Sequence, residues 1–161
     1  MASLPLRRGT AADAPRIAAL VNAAFQVESF FVEGDRTSTA EIAAMMGKGS
    51  FLLAEEERAL VGCVYVEPRG ESGYLGLLSV DPARQAKGLG RSLVAAAEDH
   101  CRGAGCRRME MLIVNLRTEL PPFYRRLGYA ESGTAPFPDN GRAKQPCHFI
   151  RMSKPLAAPA G

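Results

Sequence analysis

Residues 74–80 (YLGLLSV) are almost wholly apolar, and from Leu89 an apolar residue recurs on one helical face: Leu89, Leu93, Val94, Ala97 and Cys101. Between these patterns lie Asp81, Pro82 and then Arg84-Gln-Ala-Lys-Gly-Leu-Gly-Arg91. A short apolar run of this kind reads as a central strand covered on both faces, and Pro82 ends it. A buried strand that passes through a glycine loop into an amphipathic helix requires a layered sheet-and-helix fold. It also leaves unpartnered helix amides where the strand stops. Gly88 and Gly90 tolerate positive φ and let a ligand approach the main chain. Arg84, Lys87 and Arg91 add positive charge to that of the helix N-terminus, so the segment suits a phosphate or diphosphate. Two glycines alone equally fit a strand-to-helix turn with no ligand. The loop is neither G-x-x-x-x-G-K-[ST] nor G-x-G-x-x-G, which excludes a P-loop and a Rossmann fingerprint.

The other elements follow from periodicity and punctuation. A short strand is expected over residues 4–8. Thr10-Ala-Ala-Asp13 and Pro15 then open a helix over about 12–25, with Ile17, Leu20, Val21, Ala24 and Phe25 at helical spacing. Ser38-Thr-Ala-Glu41 opens a second helix that stops near Gly47. Residues 50–55 and 60–67 predict a hairpin around Glu56-Glu57-Arg58, with a loop over 68–73 before the central strand. The third helix runs to about Arg102 and ends at Gly103 and Gly105. A second buried strand spans 108–114, and a short helix with Pro121 and Pro122 in its first turn spans 120–127. Final strands are expected over 129–132 and 147–152, joined by a loop over 133–146. The order β-α-α-β-β-β-α-β-α-β-β predicts an α/β (α+β) fold, a mixed sheet with helices on both faces. Residues 1–155 are expected to form a single domain, with 156–161 as a frayed tail.

Length and composition agree with one globular domain: 161 residues, 47% hydrophobic and 23% charged. The net charge of +3 and the lack of a long basic block give no sign of a nucleic-acid partner. No apolar run is long enough to cross a bilayer, and the first ten residues lack the apolar core of a secretory signal. Cys63, Cys101, Cys106 and Cys147 form no C-x-x-C pair and have few histidines for company, so reduced thiols and no metal site are expected. A cytoplasmic protein, monomeric or homodimeric and without a membrane partner, is the resulting expectation.

Gln85-Ala-Lys-Gly-Leu-Gly90 matches R/Q-x-x-G-x-G/A, and further on Asn115 precedes Phe123-Tyr-Arg-Arg-Leu-Gly-Tyr129. In both segments the chain resembles the GNAT family of N-acetyltransferases, clearly over residues 60–129 and elsewhere by element order. The resemblance implies a splayed central sheet in which the strands over 74–80 and 108–114 run parallel and part around acetyl-CoA. It implies that main-chain groups of Leu78, Ser79 and Val80 hold the pantetheine arm and acetyl carbonyl. Residues Gln85, Ala86, Lys87, Gly88, Leu89, Gly90 and Arg91 would wrap the diphosphate. Asn115 would bond the pantetheine, and Tyr124 would lie near the sulfur as proton donor, since a phenol of pKa ~10 is protonated at neutral pH.

Many relatives carry a glutamate on the strand before the phosphate loop, but residues 74–80 contain no carboxylate. Glu33, Asp35, Glu71, Glu110 or a water chain remain as general base. The substrate wall is expected from residues 25–35 and 134–142, where Glu33, Asp35 and Asp139 suit a cationic amine. Neutralising a lysine-like amine of pKa ~10.4 at pH 7 costs about 4.6 kcal/mol, against about 1.4 for an α-amino group near ~8. A weak or absent base therefore favours the latter. The implied function is acetyl transfer from acetyl-CoA to a primary amine by direct attack in a ternary complex. A non-catalytic acyl-CoA-binding sensor or scaffold is the alternative.

Overall fold

The computed structural model describes residues 5–84, 88–138 and 141–157. Its elements are β1 Leu6–Arg8, α1 Ala14–Ala24, α2 Thr39–Met45, β2 Ser50–Glu56, β3 Ala59–Arg69, β4 Ser72–Val80, α3 Leu89–Gly103, β5 Arg108–Val114, α4 Leu120–Arg126, β6 Ala130–Pro136 and β7 His148–Pro155. The order is the one expected. Short 3-10 turns precede α1 (Ala11–Asp13), follow it (Phe25–Glu28) and lead out of β4 (Pro82–Arg84).

The strands form one seven-stranded sheet in the order β1-β2-β3-β4-β5-β7-β6. All neighbours are antiparallel except β4 and β5, which run parallel. One face carries α3 and α4 over a core that includes Val64, Val66, Leu75, Leu93, Ala97, Met109 and Tyr124. The other carries α1 and α2 over Ile17, Val21, Ile42, Phe51, Leu53 and Tyr65. Alternation along the strands divides the apolar residues between these two layers. Gly62 sets the approach of α3, because a Cβ there would lie 3.0 Å from Leu93 and 3.1 Å from Leu89. The first turn of α3 is thereby laid against β3 opposite Val80, the last residue of β4.

Parts of two expected loops are strand. β3 and β4 meet through the tight turn at Gly70 (φ +68), with Pro68 paired opposite Gly73. Pro68 is tolerated because β2 stops pairing at Val66, so the missing N–H falls on an open edge. β6 likewise continues to Pro136 through a register shift between Glu131 and Gly133. Of the expected tail, residues 158–161 lie outside the described residues. Leu156 is buried, and its N–H donates to Arg107 O at 2.7 Å. Among the described residues no helix is long and apolar enough to cross a membrane.

β4 and β5 pair only at Ser72↔Arg108, Gly73↔Met109 and Tyr74↔Glu110. β4 continues to Val80 against β3, and β5 to Val114 against β7. The sheet therefore opens into a V at its centre, between two strands each firmly held on its outer side.

Asp13 anchors the start of α1. Its buried carboxylate accepts two hydrogen bonds from Arg7 on β1, at 2.8 and 2.9 Å, and one from Thr10 N–H at 2.8 Å. The Arg7 guanidinium holds the Asp13 carboxyl well below the usual carboxylate range. The stabilisation is thus complete above the unfolded pKa of ~3.9 and is lost as pH falls through the lower folded value. Asp13→Ala is expected to cost about 1–3 kcal/mol in urea unfolding at pH 7, with the gap to wild type shrinking below pH ~4. A gap that stays constant with pH would deny the ionic origin of this anchor.

Candidate active site

The V holds a cleft of about 760 Å³. Tyr74, Leu75, Gly76, Leu77, Leu78 and Val80 line it from β4, and Met111, Leu112, Ile113 and Val114 from β5. The start of α3, one side of α4, and the segments after α1 and β6 close it. From Leu75 onward the edge of β4 facing β5 has no strand partner. Buried main-chain groups need partners, so such an edge suits an extended ligand that adds as a strand.

A bulge shapes that edge. Cys63 pairs with Ser79 and Tyr65 with Gly76, so Leu77 and Leu78 together stand opposite Val64. Leu77 has φ +50, an uncommon conformation for a side chain branched in this way. Its side chain packs into the α1/α2 core. Ser79 Oγ donates to Leu77 O at 2.9 Å, on the buried side. The peptide is trans, so the N–H of Leu78 points the other way, over the open edge. Ser79 is buried and does not line the cleft, whereas Leu78 and Val80 do.

Gly88 has φ +75 and is the N-cap of α3, with no side-chain cap on the helix among the described residues. A left-handed residue is strained in any type but glycine or asparagine, which accounts for Gly88 at this corner. Gly88, Leu89, Gly90 and Arg91 all line the cleft. Gln85, Ala86 and Lys87 lie outside the described residues. Arg84 pairs with Glu56, but Arg91 and Arg126 also line the cleft and have no carboxylate partner among the described residues. Free helix amides and two uncommitted guanidinium groups together suit a diphosphate.

Tyr124 is buried, packs edge-on against Phe123 and Tyr129 (centroids 5.0 and 5.8 Å), and lines the cleft. Tyr129 is itself fixed by its hydroxyl donating to Glu98 at 2.8 Å, and Glu98 also accepts from Lys154 at 3.0 Å. The Tyr124 hydroxyl makes no hydrogen bond to a described residue. Among the described residues no buried side-chain polar atom lacks a partner, so this hydroxyl is open to the cleft. Burial pushes the phenol up from its ordinary value and keeps it protonated.

Asn115 directly follows β5. It is not among the cleft-lining residues, and its Oδ1 accepts from His148 N–H at 2.8 Å. That bond ties the end of β5 to β7 and leaves the amide nitrogen and a second lone pair of Oδ1 for a ligand. Among the base candidates, Glu71 lies in the β3–β4 turn near Arg107, and Glu110 pairs with Arg108 at 3.3 Å. Neither lines the cleft. Glu33 and Asp35 line a side cavity of about 280 Å³ that shares Phe25, Glu28, Val32 and Arg36 with the main cleft.

Two carboxylates line the cleft among the described residues, Glu119 just before α4 and Glu28 on the 3-10 turn after α1, and Glu28 is the buried one. Its Oε2 accepts from Arg117 Nη1 at 2.8 Å. Burial raises the Glu28 pKa above the ordinary carboxylate value, and this outweighs the opposing pull of Arg117. Sequence reasoning passed over Glu28, although Ile17, Val21, Ala24 and Glu28 continue one helical stripe. A carboxylate at an apolar-stripe position was the available signal. Residues of both segments expected to form the substrate wall line the cleft, while Asp139 lies outside the described residues. Phe25 and Val32 face Phe137, Pro138 and Arg142 across the cleft mouth, and the two segments are tied by Glu33 N–H to Arg142 O at 2.8 Å.

Comparison with known proteins places this geometry. Residues 17–129 match the acetyltransferase (GNAT) family. A rice (Oryza sativa subsp. japonica) relative, glucosamine 6-phosphate N-acetyltransferase 1, is 32% identical over 108 residues, 62% of this chain and 64% of its own. The chain thus spans less than two thirds of that relative's length. Among solved structures, smu.2055 of Streptococcus mutans superposes with a TM-score of 0.80 at 18% identity, over 96% of this chain and all of that one. YncA of Salmonella typhimurium, solved with its cofactor acetyl-CoA, superposes with a TM-score of 0.75 at 21% identity, over 99% of this chain and 98% of that one. The parted strands and the glycine-capped α3 are therefore the frame of a known fold, and the chain belongs to the acetyltransferase (GNAT) family.

Proposed function

We propose that the protein transfers the acetyl group of acetyl-CoA to a primary amine by direct attack within the cleft. The observation that carries this reading is the open edge of β4 beside β5, with the uncapped amides of α3 at its end. The pantetheine arm adds to that edge through main-chain groups near Leu78 and Val80. The diphosphate lies on Gly88, Leu89, Gly90 and Arg91, with Gln85, Ala86, Lys87 and Arg126 beside it. Asn115 offers the pantetheine its side-chain amide nitrogen, and Ser79 acts by fixing the Leu77 carbonyl.

The chemistry needs a neutral amine, a site for negative charge on the carbonyl oxygen and a proton for the departing sulfur. Glu28 Oε1, which has no hydrogen-bond partner among the described residues, takes a proton from the ammonium. The nitrogen lone pair then forms the C–N bond, the C–S bond breaks, and the sulfur leaves with the electron pair. Tyr124 gives its hydroxyl proton to the sulfur, and the proton shed by the new amide nitrogen restores the phenol. The Leu78 N–H faces the oxygen on which charge collects, a fixed donor in a largely apolar cleft. Glu28 supplies the carboxylate that β4 lacks, which favours catalysis over a sensor or scaffold.

Tyr124→Phe is expected to lower kcat by about 10²-fold or more in a CoA-release assay and to leave the CoA dissociation constant within about twofold by calorimetry. Unchanged turnover would remove Tyr124 from the reaction. Glu28 is active when ionised, so kcat should rise with pH through a value above the ordinary ~4.3 of glutamate. Glu28→Gln should remove that limb and cost about 10²-fold in kcat at pH 7, less once the amine is neutral without help. Full activity of Glu28→Gln at pH 7 would exclude it as the base.

A further inference from the structure

The charges at the acceptor end of the cleft do not cancel. Glu28 is matched by Arg117, which also reaches Glu119 at 2.9 Å. Arg36 lines both the main cleft and the side cavity, and it has no carboxylate partner among the described residues. Its guanidinium lies over the Phe25 ring at 5.5 Å from the centroid, and its charge acts on both Glu28 and Tyr74. Glu33 and Asp35 are its near neighbours in sequence, but both are exposed and line only the side cavity.

The main chain around Arg36 is clamped. Arg142 donates to the carbonyls of Glu33 (2.8 Å) and Asp35. Asn22 Oδ1 accepts from Thr37 N–H at 2.9 Å, while Asn22 Nδ2 donates to Thr37 O at 3.1 Å. The guanidinium thus stands on a fixed stretch of backbone, which reduces the ordering cost of binding through it. A second polar group opens nearby. The Tyr74 ring lies across Gly76, where a Cβ would meet its hydroxyl at 2.8 Å, and that hydroxyl makes no hydrogen bond to a described residue. Arg36 lies on the α1 side of the sheet, with Phe25 and Tyr74, whereas Arg91 and Arg126 sit with α3 and α4. The anion that fits Arg36 is therefore not the diphosphate of the cofactor.

We propose that the acceptor is a small amine bearing an anionic group, a carboxylate or a phosphate, which Arg36 binds while Glu28 meets the ammonium. This deepens the transferase reading and rests on it. A planar guanidinium binds either anion through paired N–H donors. Phe25 and Val32 line the same stretch of the cleft as these two charged groups and offer apolar surface there.

The test is a CoA-release assay with acetyl-CoA and matched acceptors: an α-amino acid against its carboxamide, and an amino sugar against its phosphate ester. In the wild type the anionic member of at least one pair should be favoured roughly tenfold or more in kcat/KM, mainly through KM. Arg36→Gln should bring that ratio close to one, and Arg36→Lys should restore part of it. The pair in which the preference occurs identifies the anion. Turnover with no preference in either pair, or a preference that survives Arg36→Gln, overturns the inference and leaves the transferase reading standing. Absence of CoA release from every acceptor, with acetyl-CoA still bound in calorimetry, overturns both.

Discussion

Everything in this fold that bears on chemistry depends on the failure of two parallel strands to stay together. β4 and β5 begin as partners at Ser72, Gly73 and Tyr74 and then part. An unpaired buried peptide group costs about as much as a lost hydrogen bond, so a bare strand edge inside a protein is a standing cost. It persists here because each strand is held on its other side, β4 by β3 and β5 by seven positions of β7. The structure thus keeps a row of main-chain donors and acceptors ready for an extended ligand.

The bulge at Leu77 and the glycine at position 88 are two backbone irregularities at successive corners of the same path. Leu77 turns one carbonyl inward to Ser79, and the adjoining amide outward to the gap. Gly88 turns the chain into α3 without a capping side chain, so the first amides of that helix remain exposed to the cleft. Both conformations are costly for ordinary residues, and both lie where a ligand meets main chain. Gly62, by letting α3 settle onto β3, brings the second corner up to the end of the first.

The frame was largely legible in the sequence because it rests on periodic burial. The stripe Leu89, Leu93, Val94, Ala97 and Cys101 is buried as its spacing implied, and 108–114 is a strand with the bounds expected. Short connections were harder. Pro68 suggested a loop, but it lies in a strand where one edge is already free, and a propensity argument cannot see which edge that is. The loop proposed to hold the diphosphate was legible through its glycines. The proposed base was not, because Glu28 belongs to a 3-10 turn and becomes part of the cleft only when α1 packs on the sheet. Arg117, 89 positions later, meets it through tertiary structure alone. The family resemblance marks Asn115 as a ligand residue. Its Oδ1 also completes the β5–β7 ladder, a role that depends on a partner strand more than 30 residues away.

The positions of Glu28 and Tyr124 give the proposed transfer a direction. Tyr124 rises from α4 on one face of the sheet, and Glu28 descends from the end of α1 on the other. In the proposed reaction a thioester aligned along the open edge of β4 lies between them. An amine arriving beside Glu28 would then reach the carbonyl from one face, while the sulfur would depart toward the phenol on the other. Proton acceptor and proton donor are thereby kept apart, each in surroundings that suit its task. Burial raises the basicity of Glu28, and it also keeps the proton on Tyr124. The same physical effect, loss of water around an ionisable group, serves opposite ends of one reaction because the two groups lie on opposite sides of a gap in the sheet.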